Sequence, residues 1–205
     1  VRFNTLAREL VLGADSPAIA ENRVGTIQTI SGTGSLRLCT EFLARFMNRP
    51  KVYCSKPTWG NHLSILRASG LEIGEYPYWK ESTRGLDFEG FCEALRGADS
   101  GSVILFHPCA HNPTGVDPTL EQWEAIADIC EEKDLVPYFD SAYQGFATGD
   151  LENDAAAVRM FVRRGFQLFL SQSFAKNMGL YGERIGALHV VATDQETAER
   201  VMSQI

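Results

Sequence analysis

The chain has 205 residues, 44% of them hydrophobic and 22% charged, with 18 Gly and 8 Pro. This is ordinary globular composition, neither low-complexity nor charge-dominated, and long enough to bury a sizeable core. A net charge of −7 lacks the basic excess that phosphate-backbone binding needs, so nucleic acid is not expected as a partner.

The chain opens in an amphipathic helical pattern with Phe3, Leu6 and Leu10 on one face, and it has no initiator Met or signal-like stretch. A Gly-rich turn at 31–35 then precedes a helix whose face carries Leu36, Cys39, Leu43 and Phe46. Apolar runs at 52–54 and 103–106 predict strands. Thr119, with Gln122 three residues on, predicts a capping box for a helix carrying Trp123, Ile126 and Cys130. Further strands are expected at 136–139, 166–170 and 187–191, with a helix around Val158, Phe161 and Val162 between the first two. The last ten residues stop in a helical pattern without a cap. The chain therefore reads as an internal piece of a longer protein, with any targeting segment outside it.

Strand–helix alternation predicts an α/β fold, a mostly parallel sheet flanked by helices on both faces, in one domain over residues 1–205. The five cysteines (Cys39, Cys54, Cys92, Cys109, Cys130) are an odd number without a C-x-x-C pair, which favours reduced thiols over disulfides or zinc. No apolar run reaches the ~18–20 residues of a membrane span, so no membrane association is expected.

In such sheets ligands sit beyond the carboxyl ends of the strands. Ser31-Gly32-Thr33-Gly34-Ser35 reads either as a phosphate cradle at a helix N-terminus or as a Gly-rich turn with a Ser cap. It is neither a Walker A loop nor a dinucleotide fingerprint, because no Gly-Lys-Ser/Thr follows and Arg37 stands where the third Gly would be. Asp140, at a strand end with Tyr143 three residues on, suits a cationic ring nitrogen, with a loop cap as the plain alternative. Lys176 follows an apolar strand, as a Schiff-base lysine would, though most lysines are surface charges. Arg184 offers a phosphate fork or a surface ion pair. His107 and His111 form an H-x-x-x-H pair flanked by Pro108 and Pro113, without the Glu of a zincin helix, so no metal site is expected there. His62 is either a core histidine or the partner of a buried carboxylate.

Together these segments resemble the aspartate aminotransferases, fold-type I enzymes that use pyridoxal 5′-phosphate (PLP). The resemblance rests on Ser31 to Gly34, Pro57-Thr58-Trp59-Gly60-Asn61-His62, Ala110 to Gly115, Asp140 to Phe146 and Ser171 to Arg184, in that order over essentially the whole chain. It implies that Lys176 carries the cofactor as a Schiff base and then shuttles a proton, and that Asp140 pairs with the ring nitrogen, supported by His62. Tyr143 and Asn112 would bond the ring oxygen, and Trp59 would stack on the ring. Ser31, Gly32, Thr33, Ser173 and Arg184 would hold the phosphate.

The implied reaction is amino-group exchange between L-aspartate and 2-oxoglutarate, giving oxaloacetate and L-glutamate, in a homodimer when full length. An aromatic or broad-specificity aminotransferase, and a truncated non-catalytic PLP-binding domain, are the alternatives. The family's two carboxylate-binding arginines and a neighbouring-subunit tyrosine fall outside this chain, as do the N-terminal arm and the C-terminal small domain. The cytoplasm is the expected compartment, with the mitochondrial matrix as alternative.

Overall fold

The computed structural model describes residues 2–205. In chain order the elements are α1 (Arg2–Leu12), α2 (Pro17–Ala20), β1 (Val24–Ile30), α3 (Ser31–Phe46), β2 (Val52–Lys56) and α4 (Gly60–Ala68). Next come β3 (Ile73–Pro77), β4 (Trp79–Lys80), β5 (Gly85–Leu86), α5 (Phe88–Arg96), β6 (Val103–Phe106) and α6 (Leu120–Glu132). The last are β7 (Val136–Ser141), α7 (Leu151–Asp154), α8 (Ala156–Arg163), β8 (Leu168–Ser173), β9 (Ile185–Val191) and α9 (Gln195–Met202).

Seven strands form one sheet in the order β1-β9-β8-β7-β6-β2-β3, and β4 and β5 form a separate two-stranded sheet. From β8 to β3 every pairing is parallel. β9 runs antiparallel to both β8 and β1. The expected α/β class with a mostly parallel sheet is what the chain adopts.

Alternation along the strands divides the core in two, because successive strand side chains point to opposite faces. Ile104, Phe106, Phe139, Leu168 and Leu170 meet α5, α6 and α8 on one face. Val103, Leu105, Tyr138, Phe169 and Leu188 meet α3 and α4 on the other. Phe106, Phe139 and Phe161 form an aromatic centre on the first face, with ring centroids 5.4 Å and 5.2 Å apart along the chain of contacts. The same alternation sends Asp140, Ser171 and Ser173 to the α3 and α4 face, which is what brings the polar groups of the strand ends together.

Several expected boundaries move. β8 covers Leu168–Ser173 rather than 166–170. Phe166 instead packs on Phe161 at 4.9 Å, while polar Ser171, Gln172 and Ser173 stay in the ladder opposite Leu188, Ala187 and Gly186. The 31–35 segment is not a turn before a helix but the first turn of α3 itself, and Ile30 rather than a serine stands at its N-cap. The Thr119–Gln122 capping box forms with both of its hydrogen bonds. β1 was not anticipated, since its Gly, Thr and Gln break the apolar signal. Nor was β3, an edge strand that tolerates Pro77 because one side of an edge needs no ladder donor.

Candidate active site

At the carboxyl ends of β2, β6, β7 and β8 the chain leaves a cavity of about 270 Å³. Every residue singled out for the site lines it except His62, which stands directly behind Asp140.

One wall is the start of α3. Ser31 has a left-handed backbone, φ 58°, and its N–H donates to the Arg184 carbonyl at 3.0 Å. Its hydroxyl lies 3.0 Å from that of Ser173. Gly32 lets α3 come close: a Cβ there would lie 3.0 Å from the Ser173 Cβ. Beneath them Ser35 Oγ donates to Ser171 Oγ at 2.7 Å, which also lies 2.8 Å from the Tyr138 hydroxyl. The first-turn amides of a 16-residue helix, three hydroxyls and the Arg184 guanidinium therefore border one end of the cavity. Such a donor set suits a dianionic group.

Asp140 occupies the floor. Its Oδ2 accepts from His62 Nε2 at 2.8 Å, and His62 Nδ1 lies 2.9 Å from the Thr58 hydroxyl. With Nε2 donating, Nδ1 is free to accept from Thr58, so α4 presents a fixed imidazole to the carboxylate. Both readings of His62 hold at once: it is buried in the core and it partners a carboxylate. Trp59, at the N-cap of α4, sets its ring edge-on to His62 at 5.3 Å.

A second wall is the 107–115 turn. His107 is buried and accepts the Asn112 N–H at Nδ1, 3.1 Å away. His111 is stacked under Tyr78 at 3.6 Å and hydrogen-bonds Ser55 and Thr114, each at 2.8 Å. Burial, followed by the facing His62 and His111, holds the His107 pKa well below its ordinary value. Burial, then His62, takes His111 down to about 3. Both are neutral and hydrogen-bonded at pH 7, and of the two His107 lines the cavity.

His62, His107 and Asp140 bring one ligand atom each within 4.8 Å of one another. Two ligands of a tetrahedral zinc, each ~2.0–2.1 Å from the ion, would stand ~3.3 Å apart. The 2.8 Å between His62 Nε2 and Asp140 Oδ2 is a hydrogen bond instead.

The loop after β8 closes the mouth. Lys176 Nζ lies 5.5 Å from the ring centroids of both Tyr143 and Tyr181. Burial raises the Tyr143 pKa, with Tyr181 and Asp140 adding to it, so its phenol stays protonated and able to donate. Arg184, also left-handed at φ 53°, donates to the Tyr181 carbonyl at 3.1 Å.

The family described as "Aminotransferase class I and II" matches residues 2–205. The chain belongs to that family. It is 56% identical over 203 residues to "Aspartate aminotransferase, cytoplasmic" of Oryza sativa subsp. japonica, covering 99% of this chain and 50% of that protein. The mitochondrial aspartate aminotransferase of Trypanosoma brucei superposes with a TM-score of 0.96 at 43% identity, covering 98% of this chain and 53% of that one. The aromatic-amino-acid aminotransferase of Burkholderia pseudomallei, solved covalently bound to pyridoxal phosphate, does so with a TM-score of 0.96 at 42% identity, covering 98% and 50%. Other relatives carry mitochondrial and chloroplastic names. The chain spans about half the length of the curated relatives it matches. No helix among the described residues is long and apolar enough to cross a membrane.

This class I and II chain also lines its cavity with residues the sequence reading did not place there, among them Leu36, Asn61, Cys109 and Tyr181. Tyr181 had one available signal, its position three residues before Arg184 in the same loop. Cys109 had none, since its place follows only from the fold of the 107–115 turn.

Proposed function

We propose that the chain is the cofactor-binding large domain of a PLP-dependent aminotransferase. Its reaction is amino-group exchange between L-aspartate and 2-oxoglutarate, giving oxaloacetate and L-glutamate. One observation carries this reading: the Lys176 amine, the Asp140 carboxylate pinned by His62, and the phosphate-type donor set of α3 border a single cavity. The fit to PLP is chemical. A dianion matches the α3 end, a cationic ring nitrogen matches Asp140, and the close approach at Gly32 leaves no space for a side chain between them. When bound, the cofactor supplies an electron sink for the pair released at the substrate Cα.

The remaining roles belong to side chains. Asp140 holds a proton on the ring nitrogen, and His62 keeps that carboxylate oriented. Lys176 Nζ would hold the cofactor at its aldehyde carbon and, once the substrate amine has displaced it, would be the free base that moves the proton at the substrate Cα. Tyr143 and Asn112 donate to the ring oxygen, and Trp59 covers one ring face and excludes water. Ser31, Gly32, Thr33, Ser173 and Arg184 bind the phosphate, Arg184 with charge-assisted bonds.

The aspartate reading is supported by the rice and T. brucei relatives. An aromatic or broad-specificity reading is supported by equal structural likeness to the B. pseudomallei enzyme. The cytoplasmic rice relative supports a cytoplasmic location. Exposed Ile30, Met178 and Tyr181 beside the mouth support a homodimer that covers them.

The test is an absorption spectrum of the full-length protein with PLP, before and after adding L-aspartate or L-phenylalanine. A visible band is expected that Lys176→Ala abolishes and that L-aspartate bleaches more effectively than L-phenylalanine. Turnover by Lys176→Ala should fall by at least roughly a hundredfold, the usual contribution of a positioned proton carrier. A folded protein that gives no such band overturns the reading.

A further inference from the structure

Three consecutive backbone amides of the 107–115 turn are captured by side chains. Ala110 N–H donates to Asp117 Oδ2 at 2.6 Å and His111 N–H donates to Asp117 Oδ1 at 2.9 Å. The third, Asn112 N–H, donates to His107 Nδ1. Successive amides of this kind form a concavity for an anion, and here the chain's own carboxylate fills it, one oxygen to each amide. Ala110 needs such help. Its φ of 47° is left-handed, a conformation that a residue with a Cβ adopts only when its surroundings over-determine it. Asn112, the next residue in the turn, borders the cavity. Neither oxygen of Asp117 borders that cavity, so Asp117 acts from outside it.

We propose that Asp117 is a positioning residue: its carboxylate clamps the Ala110–His111 backbone and so aims Asn112 at the bound cofactor. The clamp stands on geometry alone, while its consequence for the cofactor rests on the function proposed above. Asp117→Asn replaces one acceptor oxygen with a carboxamide NH2, which donates and cannot accept from a backbone N–H. Loss of a hydrogen bond to a charged acceptor changes local opening by roughly tenfold or more.

Two readouts on the full-length protein separate the claims. The first is hydrogen exchange at the Ala110 and His111 amides without cofactor. Asp117→Asn should exchange at least about tenfold faster there, while Thr119→Ala, which only removes a helix cap, should leave them unchanged. The second is the pH midpoint of the visible absorption with PLP. A lost donor to the ring oxygen raises the proton affinity it shares, so Asn112→Ala should move the midpoint upward. Asp117→Asn should move it the same way, and the double variant no further than Asn112→Ala alone.

Unchanged exchange in Asp117→Asn overturns the clamp. Faster exchange with an unmoved midpoint overturns the positioning role and leaves Asp117 a structural residue. If the parent protein gives no band, the cofactor reading has failed and the exchange arm still decides the clamp. Should Asp117→Asn not fold, Asp117→Glu carries both readouts, with its longer carboxylate expected to give intermediate exchange and a smaller midpoint shift. Parent-like values for both in Asp117→Glu would overturn the proposal.

Discussion

Gly186 lies where β9 passes beneath the first residue of α3, and a methyl group there would lie 2.5 Å from both Gln172 O and Ser31 C. Both obstacles are backbone, so no rotamer change relieves the overlap. Gly186→Ala is expected to destabilise the protein by about 1–3 kcal/mol and to weaken PLP binding by lifting Ser31 off Ser173. Thermal denaturation and a cofactor titration check this, and parent-like values in both would refute it. At this scale the sequence was most legible where chemistry depends on residue type. Asp140 stands just past the apolar run of β7 and Lys176 just past β8, and both border the cavity. The left-handed backbones of Ser31, Ala110 and Arg184 were not legible, because nothing in a non-glycine residue announces a positive φ. They are imposed by partners distant in sequence, such as the 3.0 Å bond from Ser31 N–H to the Arg184 carbonyl.

Among the elements, α6 shows local chemistry setting a boundary. Thr119 Oγ1 accepts from the Gln122 amide at 3.3 Å and Gln122 Oε1 accepts from the Thr119 amide at 2.9 Å. Thr119→Ala should lower stability by about 1 kcal/mol, read as a shift in denaturant midpoint with an unchanged slope. Activity and cofactor affinity should not change, since the cap is exposed and remote from the cavity. β6 and β7 were readable because strands buried on both faces are continuously apolar. β1 was not, since its pattern carries only one fully buried residue. Helix α5 escaped for a related reason: Gly90 interrupts its apolar run, although the Asp87 side chain caps it by accepting from that same Gly90 amide.

For the molecule as a whole, three buried histidines couple folding to pH. Burial, then the facing His62, lowers His111 to about 3; burial, then Arg8, lowers His189 to about 3; and His107 lies well below its ordinary value. Unfolded, each would titrate near ~6.5. For His111 and His189 the unfolded chain therefore binds protons between pH ~6.5 and ~3 that the folded chain refuses, and His107 acts in the same direction. Stability is full above that window and falls as pH drops through it, by up to about 1.4 kcal/mol per pH unit for each histidine. Denaturant titrations at pH 7, 5.5 and 4.5 should show this decline. His189→Gln, which keeps a neutral group beside Thr26 and Gln172, should make it shallower; equal slopes in the two proteins would refute the assignment to His189.

The pairing of β1 with β9 has a consequence for how the protein is made. Thr26 and His189 are hydrogen-bonded neighbours 163 positions apart in sequence. At about 5–20 residues per second, a ribosome needs roughly 8–33 s to pass from one to the other. For most of that interval the nascent chain contains the Gly-rich start of α3, yet it lacks the strand and the Arg184 carbonyl that hold Ser31 in place. Capture of the cofactor proposed above is therefore expected only after β9 has emerged. Until then β1 is an unpaired strand edge, and it is the stretch where a holding chaperone is expected to act.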